Sequence, residues 1–494
     1  MEILSKKYKG KSIIIIIILE IIFRTTVIGQ YTFDWAKTYG GDAWDEAFGM
    51  VETSNGDLVL CGYTKAQEKH LWVIKLDEYG LSRWGKTYKA KPLSEGKDLI
   101  IGIDSNIVVA GYSIKPYSYQ TDLWIVKLNQ QGEKLWDKNY GGVGEESANG
   151  IIESSDGGYV VAGVTTTTSD FQEDALVIKV DSAGEKLWER TLGGSKPDNA
   201  NDICETKDKG IVVCGVTSSR GEGYKSLWVA KMDSSGTDIW DNIYRINQWD
   251  IATGVVEGLD GFIYVTGYTR TYSIIDYDIV LLKIDQQGNL VWQKVFSWGK
   301  WDQATSICAT FDYGIAVAGF TRSGEELSAD FAITKFDGDG NKLWENIFVK
   351  NSLDYSNRIL ETKDNGLAIA GTTYMQGRGW DYALLKFKND DLPEIAFYQD
   401  SISTSINEKY TLKSCITSKS NLKNIQVFFN DSLLVDNAKK TPNSNSSDCD
   451  IPIDTELQLI KGLNKVELVI TDYKDHQIKQ SCKIYFIPPH EESW

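Results

Sequence analysis

Short apolar runs, each ending at a polar turn rich in glycine, follow one another along most of this chain. Residues 135–180 show the unit: LWDKNYGG (135–142), ANGIIESS (148–155), YVVAGVT (159–165) and DALVIKV (174–180). Each run has the length and composition of a β-strand, and Asp156-Gly157-Gly158 predicts a tight hairpin between the second and the third. No helical period interrupts the runs, so the pattern predicts four strands and no helix.

This unit recurs along the chain, and one tryptophan marks each copy. The marks are spaced by 49 and then five times by 52 residues, at Trp35, Trp84, Trp136, Trp188, Trp240, Trp292 and Trp344. So regular a period indicates a repeat architecture. A single unit cannot bury both faces of its sheet, so we expect the copies to stack or to close into a ring.

The two ends of the array complement each other. It opens on an isolated tryptophan strand at 33–39 and ends near Phe387 after three strands, at 357–387, that have no tryptophan strand of their own. We expect the first strand to complete the last unit, which removes exposed sheet edges. We also expect each marker tryptophan to pack between neighbouring units.

A glycine recurs in the middle of the second strand of every unit. Because a mid-strand glycine weakens a sheet, its repetition predicts a bulge or the close approach of another backbone. These positions are Gly62, Gly111, Gly163, Gly215, Gly267, Gly319 and Gly371.

Three linked motifs carry a resemblance to a known family. They are W-x-K-x-Y-G-G, D-G-G-Y-V-V-A-G-x-T and D-x-W-V-x-K-L-D-x-x-G-x-x-x-W, and they cover residues 33–388. They resemble the β-propeller repeats of secreted and cell-surface proteins of bacteria and archaea. With the repeat count, this predicts an all-β protein in which residues 30–388 form a seven-bladed β-propeller closed by its N-terminal strand. The family resemblance implies an extracellular module of unassigned activity, often beside immunoglobulin-like domains.

The period stops after Lys388. Residues 389–395 are predicted as a linker, 396–488 as a second domain of six or seven short strands, and 489–494 as a tail. The strand count suggests a β-sandwich, and KGLNKVELVITDYKDHQIKQSCKIYF resembles the closing strands of bacterial immunoglobulin-like domains. The Cys…Trp…Cys core of antibody domains is absent from this region, so the likeness concerns the fold only.

The N-terminus has the pattern of an export signal. Four lysines precede an apolar run at 13–23, and Val27 and Gly29 supply the small residues of a cleavage site, so residues 1–29 are predicted to be a signal peptide. The run is short for a spanning helix, and a retained signal anchor is the alternative. We expect a secreted or cell-surface protein, with no insertion into a membrane once the signal has been cleaved.

Charge narrows the range of partners. The chain carries −17, and removing residues 1–29 takes away five Lys/Arg and two Glu and leaves −20. Such a surface disfavours nucleic acid and anionic membranes, whereas divalent cations and neutral glycans are compatible with it, and the charge selects neither. The expected partner is an extracellular protein or glycan. We expect a monomer, without a cofactor.

Seven cysteines are present, an odd number. Cys61, Cys204, Cys214 and Cys308 occupy repeat columns that elsewhere hold small or apolar residues, so we interpret them as buried packing residues, with a Cys204–Cys214 bridge left open. Of the three cysteines outside the repeats, which include Cys449, an oxidising compartment would permit one bridge, and the favoured pair is Cys415–Cys482.

An acid stands just before the innermost strand in six of the repeats. The set is Asp45, Glu146, Asp198, Asp250, Asp302 and Asp354, with Ser94 aligned in the second repeat, and Trp44, Trp249 and Trp301 precede three of the acids. One hypothesis is a binding rim at the channel mouth on the variable-loop face, where these side chains hold cations or stack sugars. The other, which repetition favours, is that each acid caps local backbone amides and each tryptophan packs between blades.

Catalytic machinery should break the symmetry of the repeat, and the sequence shows no such set. The histidines His70, His476 and His490 lie in unrelated contexts, so neither a histidine triad nor a metal site is expected. The D-x-x-G-x-x-x-W run resembles the docking motif of quinoprotein dehydrogenases and the Asp-box of sialidases, but its gaps differ from both. Enzymatic activity stays open, although the sequence argues against it.

The sequence therefore predicts a non-catalytic extracellular module that presents propeller loops to a protein or glycan partner. Two alternatives remain. One is a glycan-active hydrolase or lyase that uses the acids at the channel mouth. The other is a purely structural surface spacer.

Overall fold

Strands account for every regular element of the structure in its described ranges. The computed structural model describes residues 31–90, 92–115, 120–167, 172–221, 224–270, 276–322, 328–348, 353–377, 379–389, 394–397, 402–405, 409–417, 422–440, 451–460, 462–472 and 477–486. In these ranges the chain forms 36 β-strands, so the all-β prediction is confirmed. The predicted signal peptide and the predicted tail lie outside the described residues.

Seven antiparallel sheets of four strands each make up the region before Asn389. Sheets 1 to 6 each contain four consecutive strands. Sheet 1 contains β2 (Trp44–Glu52), β3 (Leu58–Lys65), β4 (Lys69–Leu76) and β5 (Ser82–Tyr88), and sheet 2 contains β6 (Ser94–Ile101), β7 (Ile107–Ile114), β8 (Thr121–Leu128) and β9 (Lys134–Tyr140). Sheet 3 contains β10 (Glu146–Glu153), β11 (Tyr159–Thr165), β12 (Asp174–Val180) and β13 (Lys186–Leu192), and sheet 4 contains β14 (Asp198–Glu205), β15 (Ile211–Thr217), β16 (Ser226–Met232) and β17 (Asp238–Tyr244). Sheet 5 contains β18 (Trp249–Glu257), β19 (Ile263–Arg270), β20 (Asp278–Ile284) and β21 (Leu290–Phe296), and sheet 6 contains β22 (Lys300–Ala309), β23 (Ile315–Arg322), β24 (Asp330–Phe336) and β25 (Lys342–Phe348).

Sheet 7 is assembled from both ends of this region. It contains β26 (Asp354–Glu361), β27 (Leu367–Met375) and β28 (Gly379–Asn389), and its fourth strand is β1 (Tyr31–Tyr39). β1 pairs antiparallel with β28, from Tyr31 opposite Asn389 to Tyr39 opposite Tyr382. The first strand of the array thus occupies the place that the tryptophan strand holds in every other sheet.

Apolar side chains pack in the joins between consecutive sheets. One cluster of buried residues lies in each join from sheet 1–2 to sheet 6–7, and another lies between sheet 7 and sheet 1. The first strands of the sheets, here called the inner strands, contact one another in order, and β26 also contacts β2. The core is therefore divided among the joins, and consecutive sheets share it face to face.

The marker tryptophans pack against the turn glycines of the neighbouring sheet. The turn ahead of β13 holds Gly184 at a φ of 77°, and a Cβ there would lie 3.0 Å from the Trp136 ring. The Tyr140 hydroxyl, in the same strand as Trp136, donates a hydrogen bond of 2.7 Å to the carbonyl of Gly184. The turn thus needs glycine both for its left-handed backbone and for room, and the prediction of packing between units is confirmed.

The mid-strand glycines lie opposite a β-bulge of the inner strand. A bulge was one of the two alternatives that the repeated glycine predicted. In sheet 3, Ala148 pairs with Gly163 and Gly150 with Ala162, so Asn149 is an extra residue. A Cβ on Gly163 would lie 1.9 Å from the carbonyl oxygen of Ser147, a separation that no side chain allows. The corresponding glycine of every other sheet meets the inner-strand carbonyl at 1.9 to 2.1 Å.

The join between sheet 7 and sheet 1 uses the same hydrogen bond as other joins. The Ser155 amide of one hairpin donates to the Glu205 carboxylate of the next sheet at 2.9 Å. Across the last join, the Lys363 amide donates to Glu52 at 2.9 Å. The two ends of the array therefore meet through contacts of the kind that connect its interior.

A buried lysine ties the third strand of each sheet to the aspartate of its first hairpin. In sheet 4, Lys231 is 1% exposed and lies 2.6 Å from Asp208 and 2.6 Å from Gln286 of the next sheet. The hydrogen bond from Lys179 lowers the pKa of Asp156 to about 2. The seven pairs are Lys75–Asp57 at 3.2 Å, Lys127–Asp104 at 2.7 Å, Lys179–Asp156 at 2.5 Å, Lys231–Asp208 at 2.6 Å, Lys283–Asp260 at 2.8 Å, Lys335–Asp312 at 2.9 Å and Lys386–Asp364 at 2.6 Å.

Two further sheets follow sheet 7. The first has three strands, β29 (Glu394–Phe397), β31 (Lys409–Thr417) and β34 (Ile451–Gln458). The second has five, β30 (Ile402–Ser405), β36 (Gln477–Phe486), β35 (Gly462–Asp472), β32 (Leu422–Phe429) and β33 (Ser432–Lys440). β28 reaches Asn389 and β29 begins at Glu394, so strands enter both ends of the segment expected to be a linker.

The cysteines divide between the two regions. Cys61, Cys204, Cys214 and Cys308 are free thiols, so Cys204 and Cys214 form no bridge. The strand β31 with Cys415 and the strand β36 with Cys482 belong to different sheets, and the side chains of both cysteines lie outside the described part. The Cys415–Cys482 disulfide stays a prediction. Cys449 also lies outside the described residues. In the described part of the chain, no helix is long and apolar enough to cross a membrane.

We predict that Lys231→Met lowers the free energy of unfolding by about 2 kcal/mol, because the Asp208 and Gln286 side chains lose a charged hydrogen-bond donor. Denaturant unfolding at pH 7 measures the change. Lys186→Met is the matched control, since Lys186 is half exposed and pairs with its strand neighbour Glu189 on the surface. Equal losses in the two variants would contradict a structural role for the buried lysines.

Candidate functional site

The six acids before the inner strands are buried. Asp45, Glu146, Asp198, Asp250, Asp302 and Asp354 are each at most 3% exposed. In five of the sheets the carboxylate accepts a hydrogen bond from the backbone amide four residues earlier. These donors are Gly41 at 3.2 Å, Gly142 at 3.0 Å, Gly194 at 3.0 Å, Ile246 at 2.9 Å and Trp298 at 2.8 Å. Ser94, which replaces the acid in sheet 2, accepts the same bond from Ala90 at 3.5 Å.

These bonds are the ones that the capping hypothesis requires. They also explain the Gly-Gly pair that precedes several of the acids. A Cβ on Gly193 would lie 2.1 Å from a carboxylate oxygen of Asp174 and 2.7 Å from one of Asp198. The first glycine is therefore needed because two carboxylates approach the backbone there. The acid at the start of the third strand, here Asp174, was not among the residues singled out from the sequence.

The three tryptophans that precede the acids have different surroundings. Trp44 is 51% exposed, and its ring edge lies against Gly379 of sheet 7. Trp249 and Trp301 are partly exposed and belong to sheets 5 and 6. The structure brings these two together with arginines at the ends of β19 and β23 and with a tyrosine just before β20, whereas Trp44 lies in sheet 1.

Trp249 and Trp301 belong to a cluster that we call the aromatic–arginine surface, formed by Trp249, Arg270, Tyr277, Trp301 and Arg322. The Arg270 guanidinium lies 4.1 Å from the centre of the Trp249 ring and 5.2 Å from that of Tyr277. Tyr277 meets Trp301 edge to face at 5.4 Å, and Arg322 lies 5.0 Å from the Trp301 ring. Cations over ring faces and edge-to-face rings hold one another in place, so the surface is preorganised.

Trp301 adopts a backbone conformation that is rare for a bulky residue. Its φ is 55°, and its amide donates a 2.7 Å hydrogen bond to Asp276 in the preceding loop. Left-handed backbone at a non-glycine residue costs on the order of 1 kcal/mol or more and is concentrated at functional sites. In this conformation the Trp301 ring meets Tyr277 and Arg322.

A second asymmetric feature lies where the inner strands converge. A cavity of about 240 Å³ is lined by side chains from the inner strands of all seven sheets: Phe48, Lys97, Asp98, Asn149, Asn201, Asp202, Thr253, Thr305, Asn357 and Arg358. Most of these are the extra residue of the β-bulge or the residue after it. The bulge thus directs one or two side chains per sheet towards the central cavity.

The bulge residues also connect neighbouring sheets through what we call the inner belt. Each belt residue is hydrogen-bonded to a group near the inner-strand bulge of the next sheet, and the last bond crosses from sheet 7 to sheet 1. The bonds are Asn149 to the Ala200 carbonyl at 2.8 Å, Asn201 to Ala252 at 2.7 Å, Thr253 to Ala304 at 2.8 Å, the hydroxyl pair Thr305 and Ser356 at 3.0 Å, and Asn357 to the Ala47 carbonyl at 2.6 Å.

Three charged side chains of the central cavity interact across it, whereas the fourth, Lys97, pairs with Glu95 of its own strand. Arg358 reaches across it, with its guanidinium 3.8 Å from Asp98 and 3.6 Å from Asp202. Burial raises the pKa of Asp98, and it raises that of Asp202 to about 6, although Arg358 favours the charged form of both acids. Each acid also accepts an amide hydrogen bond from the next sheet, Asp98 from Ile151 at 3.3 Å and Asp202 from Val255 at 2.9 Å.

This triad was missed by the sequence analysis, although a signal for it exists. The residue after the bulge is Gly49, Gly150 and Gly254 in three sheets, and Asp98, Asp202, Ser306 and Arg358 in the others. That column breaks the symmetry of the repeat. Only the fold shows that residues so far apart in sequence share one cavity. In the ranges that the structure describes, no group of three or more His, Cys, Asp or Glu side chains is arranged to hold a metal ion.

We predict that Arg358→Met destabilises the protein by about 3 kcal/mol at pH 8, because two buried acids lose their counter-charge. The loss becomes smaller at pH 5, because the two acids bind protons there and then need no counter-charge. A carboxyl whose folded pKa lies above its unfolded value binds its proton more tightly in the folded state, so stability falls as pH rises from about 4 through the folded pKa. Thermal unfolding at the two pH values measures this difference.

Arg190→Met is the matched control, because Arg190 pairs with Asp238 on the surface, where both are about half exposed. We expect it to change stability little and equally at the two pH values. A loss in Arg358→Met that does not depend on pH would contradict the charge balance described here.

No family model matches the chain, and no curated protein matches it. Among solved structures, Sqt1 from Chaetomium thermophilum is 12% identical, with a TM-score of 0.41, over 76% of this chain and 97% of that chain. The β-propeller domain of the Trilobed protease from Pyrococcus furiosus is 10% identical, with a TM-score of 0.40, over 69% and 94%. A puromycin hydrolase is 10% identical, with a TM-score of 0.41, over 77% and 62%. Similarity at this level assigns neither an activity nor a partner to the chain.

Proposed function

We propose that the seven sheets are the blades of one closed β-propeller and that the sheets from Glu394 onwards form an immunoglobulin-like sandwich. Three observations support closure: the pairing of β1 with β28, the hydrogen bond from Lys363 to Glu52, and a central cavity lined from all seven inner strands. The sandwich is supported by two separate sheets with buried apolar residues on strands of both, Leu412 in the first and Val427 and Leu468 in the second.

The propeller serves, in this proposal, as a non-catalytic binding module of an exported protein. Export is supported by the basic and apolar pattern of residues 1–29. Binding is supported by the aromatic–arginine surface, which carries the proposal. It combines tryptophan, tyrosine and arginine, the residues that contribute most to protein–protein interfaces, and its geometry is fixed before a partner arrives.

The surface suits a protein partner better than a glycan. Arg270 covers one face of Trp249 at 4.1 Å, so that face is not open for stacking on a sugar ring. Three cations lie against these rings, Arg270, Arg322 and Lys225, the last at 5.6 Å from the Trp249 ring, and they exceed the single charge of Asp276, which accepts from the Trp301 amide. They stand out on a chain whose net charge is −17. An acidic polypeptide segment complements such a patch.

The enzyme alternative has less support. A glycan-active hydrolase would need one exposed acid and one base flanking a substrate, typically about 5 to 10 Å apart. The acids at the channel mouth are instead buried, and in five sheets they hold the amides of their own loops. A structural spacer, the third possibility, would not require a cluster of tryptophan, tyrosine and arginine side chains on the variable-loop face.

The test is a peptide-display selection against the chain from residue 30 onwards, with a glycan array probed in parallel. We expect acidic peptides to be selected, and their affinity to fall at least tenfold in the double variant Trp249→Ala/Trp301→Ala, since aromatic residues at the centre of an interface contribute about 2 kcal/mol or more. Trp44→Ala is the matched control, because Trp44 is an exposed tryptophan on the same face but outside the cluster.

Two outcomes would overturn the proposal. Peptide binding that survives in the double variant would remove the surface from the function. Glycan binding that depends on Trp249 and Trp301, without peptide binding, would replace the protein partner by a glycan.

A further inference from the structure

A groove between sheet 7 and sheet 1 departs from the repeat in a way that leaves room for a ligand. Its volume is about 480 Å³, and the lining residues that matter here are Thr38, Asp45, Thr64, Trp72, Ser82, Gly85 and Thr87. It lies beside the join that brings β1 next to β4 and β5. We call it the Trp72 groove.

Comparison with sheets 2 and 4 shows what is missing from this groove. Those sheets have a tryptophan at the position of Trp72, and its indole N–H donates to an aspartate of the fourth strand. Trp124 donates to Asp137 at 3.1 Å, and Trp228 donates to Asp241 at 2.7 Å. Both tryptophans are fully buried, with exposures of 2% and 0%.

Gly85 stands in sheet 1 where sheets 2 and 4 have that aspartate. The register is the same in the three sheets, since Gly85 pairs with Ile74, Asp137 with Val126 and Asp241 with Ala230. The loss of the side chain opens the groove, and Trp72 is partly exposed. In the part of the chain that the structure describes, the Trp72 indole N–H makes no hydrogen bond, unlike those of Trp124 and Trp228.

The lining determines which ligand could take the place of the missing carboxylate. Thr38, Thr64, Ser82 and Thr87 bring hydroxyl groups that both donate and accept, and the indole N–H is a donor. Asp45 also lines the groove and disfavours an anion. A neutral ligand with several hydroxyl groups satisfies these partners best, because each hydroxyl can accept from the indole or a threonine and donate to another oxygen.

We propose that the Trp72 groove binds a saccharide unit, with a sugar hydroxyl in the position that Asp137 and Asp241 occupy in sheets 2 and 4. The site is independent of the aromatic–arginine surface, which lies on sheets 5 and 6. We expect an aspartate at position 85 to close the groove, because its carboxylate would accept the hydrogen bond from the indole and its side chain would fill the space.

The variant Gly85→Asp tests this directly. A Cβ at Gly85 would lie 3.3 Å from Ile74 and 3.4 Å from the Trp72 indole nitrogen, and its φ is not in the left-handed region, so a side chain fits with small adjustments. We expect the variant to melt at the same temperature as the wild type or higher. On a glycan array, and in calorimetric titrations with the sugars that the wild type retains, we expect at least a tenfold loss of binding.

Two further variants complete the experiment. Trp72→Phe keeps an aromatic ring but removes the N–H with the five-membered half of the indole, and we expect a smaller loss of about threefold to tenfold, as for a single hydrogen bond. Ala36→Asp places the same acid at the equivalent position of β1 in sheet 7, outside the groove lining, and we expect it to leave sugar binding unchanged.

The proposal is overturned if the wild type retains no glycan on the array, or if folded Gly85→Asp binds sugars as well as the wild type. Its failure can be told apart from failure of the proposed protein-binding function. Gly85→Asp is expected to keep peptide binding, and Trp249→Ala/Trp301→Ala is expected to keep sugar binding.

Discussion

A steric constraint in the middle of each sheet organises the structure. The second strand of every sheet brings a glycine so close to an inner-strand carbonyl that a Cβ would lie 1.9 to 2.1 Å from it. The inner strand accommodates this approach with a bulge, and the bulge frees one residue from the strand pairing. That residue becomes a member of the inner belt or part of the wall of the central cavity. A side chain on these glycines would push the inner strand away, and with it the residues of the belt and the charged triad.

Neighbouring sheets are joined by three sets of contacts, at increasing distance from the central cavity. The inner belt links neighbouring inner strands, the buried lysines link hairpins to the next sheet, and the marker tryptophans pack on the turn glycines further out. Because stability is spread over these repeated contacts, the loops on the opposite face from the hairpins are free to differ. The aromatic–arginine surface and the Trp72 groove both lie where individual sheets depart from the common pattern.

Much of the fold could be predicted from the sequence, because strand pattern and period are local. The predicted strands at 159–165 and 174–180 agree with β11 and β12 residue for residue. The candidate site was less accessible. The column of acids was visible, but whether Asp198 faces solvent or an amide depends on the path of its loop. Arg358, Asp98 and Asp202 are separated by more than a hundred residues, and only the convergence of inner strands brings them together. Nothing in the sequence indicated that Gly85 belongs to a site, because what matters there is a missing side chain, and only comparison with the aspartates of sheets 2 and 4 in the structure shows that it is missing.

The central claim is that one ring is closed by its first strand, and amide hydrogen exchange of the native chain tests it most directly. The comparison is between peptides covering β1 (Tyr31–Tyr39) and peptides covering β9 (Lys134–Tyr140), an outer strand that is continuous with its own sheet. Closure predicts that the two strands are protected to a similar degree, because β1 is hydrogen-bonded to β28 along its length. Exchange of β1 at the rate of an unpaired segment, with β9 protected, would contradict it.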